Sequence, residues 1–207
     1  CSPPYEDART YGVGFKLKGQ DWVDWAFERY VECVRVSKGL VAWVVEGRTR
    51  QFKYTSTPIL LMADLHRAGI KLRKPPIYKR NGIPGSGGPE WLANKYEFIV
   101  CASSERLPWA DNTACGHPPK YKAGGGISHR TQNGIRVNKK YGRNRKPNGE
   151  REQRSYIPPK LSNPGNIIDC GTAGGANMGS KLAHENEAPF PESLAEFFIK
   201  SFCPPDG

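Results

Sequence analysis

Six apolar residues stand in a row at positions 40–45, Leu-Val-Ala-Trp-Val-Val. The run is far shorter than the ~20 residues that span a bilayer. It is rich in β-branched side chains and has no polar alternation that would leave one face in water. A segment of this kind fits a strand covered on both faces, as in a parallel sheet, so helices must flank it. Upstream, from Asp21, the residues Trp22, Trp25, Ala26, Tyr30, Cys33 and Val34 recur at three- and four-residue steps. Asp21 is placed to cap that helix and Gly39 to end it. Downstream, TPILLMADLHRAG (57–69) reads as a second helix with Thr57 as N-cap, Pro58 in its first turn and Gly69 as its stop. IKLRKPPIYK reads as an edge-type strand broken at Pro75-Pro76, and KYEFIVCA (95–102) as a further strand. Residues 19–102 thus alternate helix, strand, helix, strand, strand, the pattern of an α/β layered domain ending in an antiparallel pair.

The character changes near Ser103. Between 103 and 180 apolar periodicity fades, and Gly, Pro, Asn and basic residues dominate. Residues 120–160 hold twelve Lys or Arg against two Glu, with Tyr121, Tyr141 and Tyr156 interleaved. The whole chain carries a net charge of +11 and a pI of about 9.5. Such an uneven basic charge points to a polyanionic partner, because Lys and Arg on phosphates release condensed counterions. Lys120, Lys122, Lys139, Lys140, Arg143, Arg145 and Lys146 are the candidate phosphate contacts, with the tyrosines available for stacking. A solvated basic loop is the alternative. Six cysteines, at 1, 33, 101, 115, 170 and 203, lie too far apart for a disulfide scaffold. Cys101, Cys115, His117 and His129 match no common zinc spacing, so no metal is expected. Order returns at HENEAPFPESLAEFFIKSFCPPDG. There Pro191 begins a helix, Leu194, Phe197, Phe198 and Phe202 share an apolar face, and Cys203-Pro204 ends it.

The segment with the most chemistry is Ser2-Pro3-Pro4-Tyr5. Two prolines make a stiff corner with outward carbonyls. Ser2 adds a side-chain oxygen and Tyr5 a flat ring. Paired acceptors beside a stacking platform suit a planar ring bearing an exocyclic NH₂. Pro-Pro-Tyr also occurs in polyproline II peptide ligands, which would require residues 1–5 to be exposed and extended.

Taken together, the motifs resemble those of the DNA amino-methyltransferases, which methylate N4 of cytosine or N6 of adenine from S-adenosylmethionine. Ser2-Pro3-Pro4-Tyr5 resembles their (D/N/S)-P-P-Y catalytic motif. Arg35-Val36-Ser37-Lys38-Gly39-Leu40 resembles the strand entry that follows, and Ile77-Tyr78-Lys79 with Tyr96-Glu97-Phe98-Ile99 resembles the family's W-x-K and E-x-I/L segments, with Tyr in place of Trp. Ala188-Pro189-Phe190-Pro191-Glu192 resembles the H-P-A-P-F-P cofactor-site motif, although His184 is separated from it by three residues. The resemblance covers residues 1–102 and 184–207, and the catalytic-motif-first order is that of the permuted β group.

The resemblance implies part of a Rossmann-like class I methyltransferase sheet with an irregular basic insertion: a catalytic part at 1–102, a target-recognition insertion at 103–183, and a return to the methyltransferase domain at 184–207. It also implies that Ser2, Pro3, Pro4 and Tyr5 are catalytic and that Pro189, Phe190 and Pro191 line an S-adenosylmethionine site. The partner implied is double-stranded DNA, in a prokaryotic or phage-derived cytoplasm, with a restriction-modification role. Ser at position 2 favours N4 of cytosine over N6 of adenine; a non-catalytic basic DNA-binding fragment is the remaining alternative. The family's glycine-rich cofactor loop is expected past Gly207, making the chain a piece of a longer protein. Gly124–Gly126 and GTAGGA (171–176) lie in the apolar-poor insertion and do not read as that loop.

Overall fold

The Leu40–Val45 run folds as strand β1 (Val41–Val45), covered on both faces in a computed structural model that describes residues 1–6, 15–80, 89–121, 127–139, 141–145, 151–153, 157–170 and 190–206. Its neighbour differs from the parallel arrangement expected. β5 (Tyr96–Ala102) runs antiparallel to it, from Val41 opposite Ala102 to Val45 opposite Phe98. The parallel contact lies on the other side of β1. There the Cys1 amino group donates to the Ala42 carbonyl and the Val44 N–H to the Cys1 carbonyl, both at 2.9 Å, straddling Trp43.

Helix α1 (Gly19–Val36) and helix α2 (Thr57–Arg67) cover one face of the sheet. Trp22, Ala26, Tyr30 and Val34 of α1 and Leu61 and Leu65 of α2 pack with Val41, Trp43, Val45, Val100 and Ala102. Each large side chain fully removed from water contributes about 1.5–3 kcal/mol. The buried Tyr30 hydroxyl meets the carbonyls of Val41 (3.3 Å) and Val100 (3.1 Å), so its polar end is satisfied. Asp21 does not cap α1; it lies in the first turn. The Gly19 N–H is instead taken by the Glu6 carboxylate at 2.9 Å, a long-range cap that no local pattern could announce. Ser56, in a left-handed conformation, precedes α2 in the position expected for Thr57, and Gly69 ends the helix with φ of +80°.

Between β1 and α2 the chain makes a tight hairpin of β2 (Thr49–Arg50) and β3 (Lys53–Tyr54). β4 (Ile77–Lys79) is not an edge strand. It pairs antiparallel with β5 and, on its other side, parallel with β10 (Ile167–Asp169), giving the order β1-β5-β4-β10. The prolines at 75 and 76 fall just before β4, outside its paired stretch. Helix α3 (Glu192–Phe202) follows Pro191 and packs on the second face through Leu194, Phe197 and Phe198, against Val44, Tyr78, Ile99, Cys101 and Ile168. These elements form one compact unit, Cys1–Cys115 with Pro164–Gly207.

The second unit is Gly116–Asn163. It holds the basic stretch as two antiparallel hairpins, β6 (Ile127–Arg130) with β7 (Arg136–Lys139) and β8 (Tyr141–Arg145) with β9 (Arg151–Gln153).

Candidate active site

Residues 1–6 are fastened at both ends. Cys1 is locked to β1 through its backbone, and Glu6 is buried against the start of α1. Between them the diproline corner is held from one side, where Trp22 Nε1 donates to the Pro4 carbonyl at 2.8 Å. Pro3 is buried and Tyr5 is half-buried, so the segment is not the exposed, extended peptide that a polyproline ligand requires. No described residue donates to the Pro3 carbonyl.

Tyr5 starts a polar chain across the end of the sheet. Its hydroxyl donates to Glu97 Oε2 at 2.8 Å, and Arg80 Nη1 donates to Glu97 Oε1 at 2.6 Å. Both partners of that ion pair are largely shielded from water. Burial first, then the Glu97 charge, pushes the Tyr5 phenol well above its usual value, so it stays protonated and keeps donating. The Ser2 hydroxyl bonds to the Tyr5 oxygen and pulls in the opposite direction, as a donor does. With its proton turned toward Tyr5, the Ser2 oxygen keeps its lone pairs for an incoming donor.

Glu46 joins this cluster. It follows β1 directly, and continuing the β1–β5 register sets it beside Glu97. Its Oε1 accepts from the Tyr54 hydroxyl and the Gly47 N–H, each at 3.0 Å, while its Oε2 is buried with no partner among the described residues. Burial pushes the Glu46 carboxyl up to about 7; the Tyr54 hydrogen bond opposes this, and the Glu97 charge adds to it. Gly47 is required here, because a Cβ on it would lie 2.7 Å from the Tyr54 ring. Glu97 is the acid of the Tyr96-Glu97-Phe98-Ile99 segment already matched to E-x-I/L, whereas Glu46 and Arg80 were not singled out in the sequence. For Glu46 the available signal was an acid that ends an unbroken apolar strand.

Alternation along the strands puts Glu46 with Val44, and Glu97 with Ile99, on the face that carries α3. Phe190 is half-buried in that same apolar cluster, and Pro191 is buried at the start of α3. The catalytic candidates and two of the three cofactor candidates therefore belong to one unit, and Phe190 shares a sheet face with Glu46 and Glu97. Pro189 lies outside the described residues. In the second unit Lys120 is exposed, with its ammonium 6.0 Å from the centre of the exposed Tyr121 ring. Lys139 ends β7, and Arg143 and Arg145 belong to β8. Lys122, Lys140 and Lys146 lie outside the described residues.

A sheet with helices on both faces and a Ser-Pro-Pro-Tyr corner beside its edge strand defines a Rossmann-like class I methyltransferase architecture. Comparison agrees. Over residues 1–207 the sequence matches the DNA methylase family of N6 and N4 methyltransferases, and the chain belongs to that family. Among solved structures, PvuII DNA methyltransferase (cytosine-N4-specific) superposes with a TM-score of 0.58 over 99% of this chain at 15% identity, showing the same fold. The chain spans 62% of that protein's length. No curated protein sequence matches it.

Proposed function

We propose that the chain supplies the amino-group-activating half of a DNA methyltransferase that acts on N4 of a cytosine in double-stranded DNA. The observation that carries this reading is the hydrogen-bonded series from Arg80 through Glu97 and Tyr5 to Ser2, in which no described residue donates to the Ser2 oxygen or the Pro3 carbonyl. The target base must leave the duplex to reach such a corner, at a few kcal/mol of unstacking. Tyr5 stacks on the extruded ring. Ser2 Oγ and the Pro3 carbonyl each accept one amino hydrogen. This draws the nitrogen lone pair out of conjugation and offsets the positive charge that grows on it. Fixed by Trp22, Glu6 and Glu97, the corner holds that geometry without rearrangement. Glu46, titrating near neutrality in the same cluster, is suited to take up the proton the amine releases.

S-adenosylmethionine would supply an electrophilic methyl group on a cationic sulfur. The described residues fit it: Phe190 offers aromatic surface on the sheet face that also bears Glu46, whose buried Oε2 lacks a partner among the described residues. Phe190 and Pro191, with Pro189 beside them in sequence, would line its site. A short neutral Ser at position 2 supports cytosine N4 over adenine N6. The basic unit Gly116–Asn163 lies within the 103–183 stretch assigned to target recognition, with Lys120, Lys122, Lys139, Lys140, Arg143, Arg145 and Lys146 as its phosphate contacts. Among the described residues no helix is long and apolar enough to cross a membrane. In this reading the protein, prokaryotic or phage-encoded, acts in the cytoplasm, in keeping with a DNA substrate and a restriction-modification role. Methyl-transfer assays beside gel shifts test the proposal. Tyr5→Ala should lose most turnover and keep duplex binding; undiminished turnover would defeat it.

A further inference from the structure

The hairpin Arg48–Thr55 carries a feature that folding alone does not explain. Its two tip residues, Gln51 and Phe52, both have positive φ (47° and 63°), as a two-residue type I′ turn between Arg50 and Lys53 demands. Such turns favour Asn-Gly; here they hold an amide and an aromatic ring. Ser56, at the foot of the hairpin, is the third residue other than glycine with positive φ among the described residues. Phe52 is 81% exposed, with Trp91 the most exposed of the described aromatic residues in the first unit. Arg50 and Lys53, both exposed, flank the tip with positive charge. Its base is held firmly: Arg48 N–H donates to Thr55 Oγ1 (2.8 Å), Thr55 N–H to the Arg48 carbonyl (2.9 Å), and Tyr54 to Glu46. The ribbon therefore springs from Glu46, at the end of the sheet where Glu97 holds Tyr5.

We propose that the Gln51–Phe52 tip is a wedge that enters the DNA base stack beside the target nucleotide, with the flanking cations on phosphates. This rests on the reading of the chain as acting on duplex DNA. A two-stranded ribbon fits the major groove, which is about 8.5 Å deep. Four residues beyond Gly47, at about 3.3 Å each, reach roughly 13 Å, enough to bring the ring to the stack. Apolar side chains inserted between base steps unstack them and occupy the opened space. A nucleotide drawn out toward Ser2 and Tyr5 leaves such a space, and Phe52 fills it. A strained turn and an exposed ring on a basic ribbon are then accounted for together.

The test needs no knowledge of the recognised sequence. Binding is measured to a 20-base-pair duplex with one central abasic site and to the same duplex intact, by fluorescence anisotropy at fixed salt. Wild type should prefer the abasic duplex about tenfold, the scale of one ring–base stack. Phe52→Ala and Phe52→Gly should abolish that preference while changing affinity for the intact duplex less than about threefold, and Phe52→Tyr should retain it. Glycine suits the left-handed backbone, so its failure isolates the ring from the turn. An unchanged preference in Phe52→Ala and Phe52→Gly, or none in wild type that still binds DNA, overturns the wedge and leaves the proposed reaction standing. Absence of duplex binding by wild type overturns both.

Discussion

Replacing Glu46 by glutamine should make the protein more stable above neutrality and erase part of its pH dependence. The residue is 9% exposed, and burial lifts its carboxyl from 4.5 to about 7. A carboxyl raised on folding binds its proton more tightly in the native state. Stability therefore falls as pH rises between about 4.5 and 7, and the loss is complete above that window. At about 1.36 kcal/mol per pH unit, the shift corresponds to roughly 3 kcal/mol. The glutamine amide keeps an acceptor for Tyr54 and carries no charge to desolvate. Urea unfolding followed by tryptophan fluorescence, at pH 5 and pH 8, gives the comparison directly. The variant should match wild type within about 1 kcal/mol at pH 5 and exceed it by about 2–3 kcal/mol at pH 8. The same pH slope in both proteins would show that Glu46 is not the buried, proton-retaining group described here.

Gly47→Ala places a methyl 2.7 Å from the Tyr54 ring, so it should destabilise the protein by about 1–3 kcal/mol and free Tyr54 from Glu46, measured by thermal unfolding. Trp22→Phe leaves the Pro4 carbonyl without its donor and should cost about 1–3 kcal/mol in the same measurement. Tyr5→Phe keeps the stacking ring but breaks the link from Ser2 to Glu97. It should lower methyl transfer by about tenfold, against at least a hundredfold for Tyr5→Ala, in turnover assays with labelled cofactor.

Much of the layered domain was legible because its elements bury apolar side chains at regular spacing. The α1 stripe from Trp22 to Val34, the unbroken β1 run and the Leu194–Phe198 face of α3 each declare a period and a burial direction. What escaped was carried by contacts distant in sequence. The three-residue β10 is too short to show a period, and only its pairing turns β4 into an interior strand. The β2–β3 hairpin has Gln-Phe where Asn-Gly would have signalled a turn. The Glu6 cap and the Glu46–Glu97–Arg80 cluster depend on register and on the path of residues 1–6. The Ser-Pro-Pro-Tyr segment stood out in the sequence because its residue types are chemically specific. What holds it, from Trp22 to Glu97, emerges only from the fold.

The account stands on Ser2 and the Pro3 carbonyl accepting the two hydrogens of a cytosine amino group. Nucleoside mass spectrometry of DNA incubated with the protein and S-adenosylmethionine, run for wild type and Ser2→Ala in parallel, tests this most directly. The account predicts N4-methylcytosine from wild type and at least a hundredfold less from Ser2→Ala. Methylation at carbon 5 of cytosine, or equal yields of N4-methylcytosine from the two proteins, would contradict it.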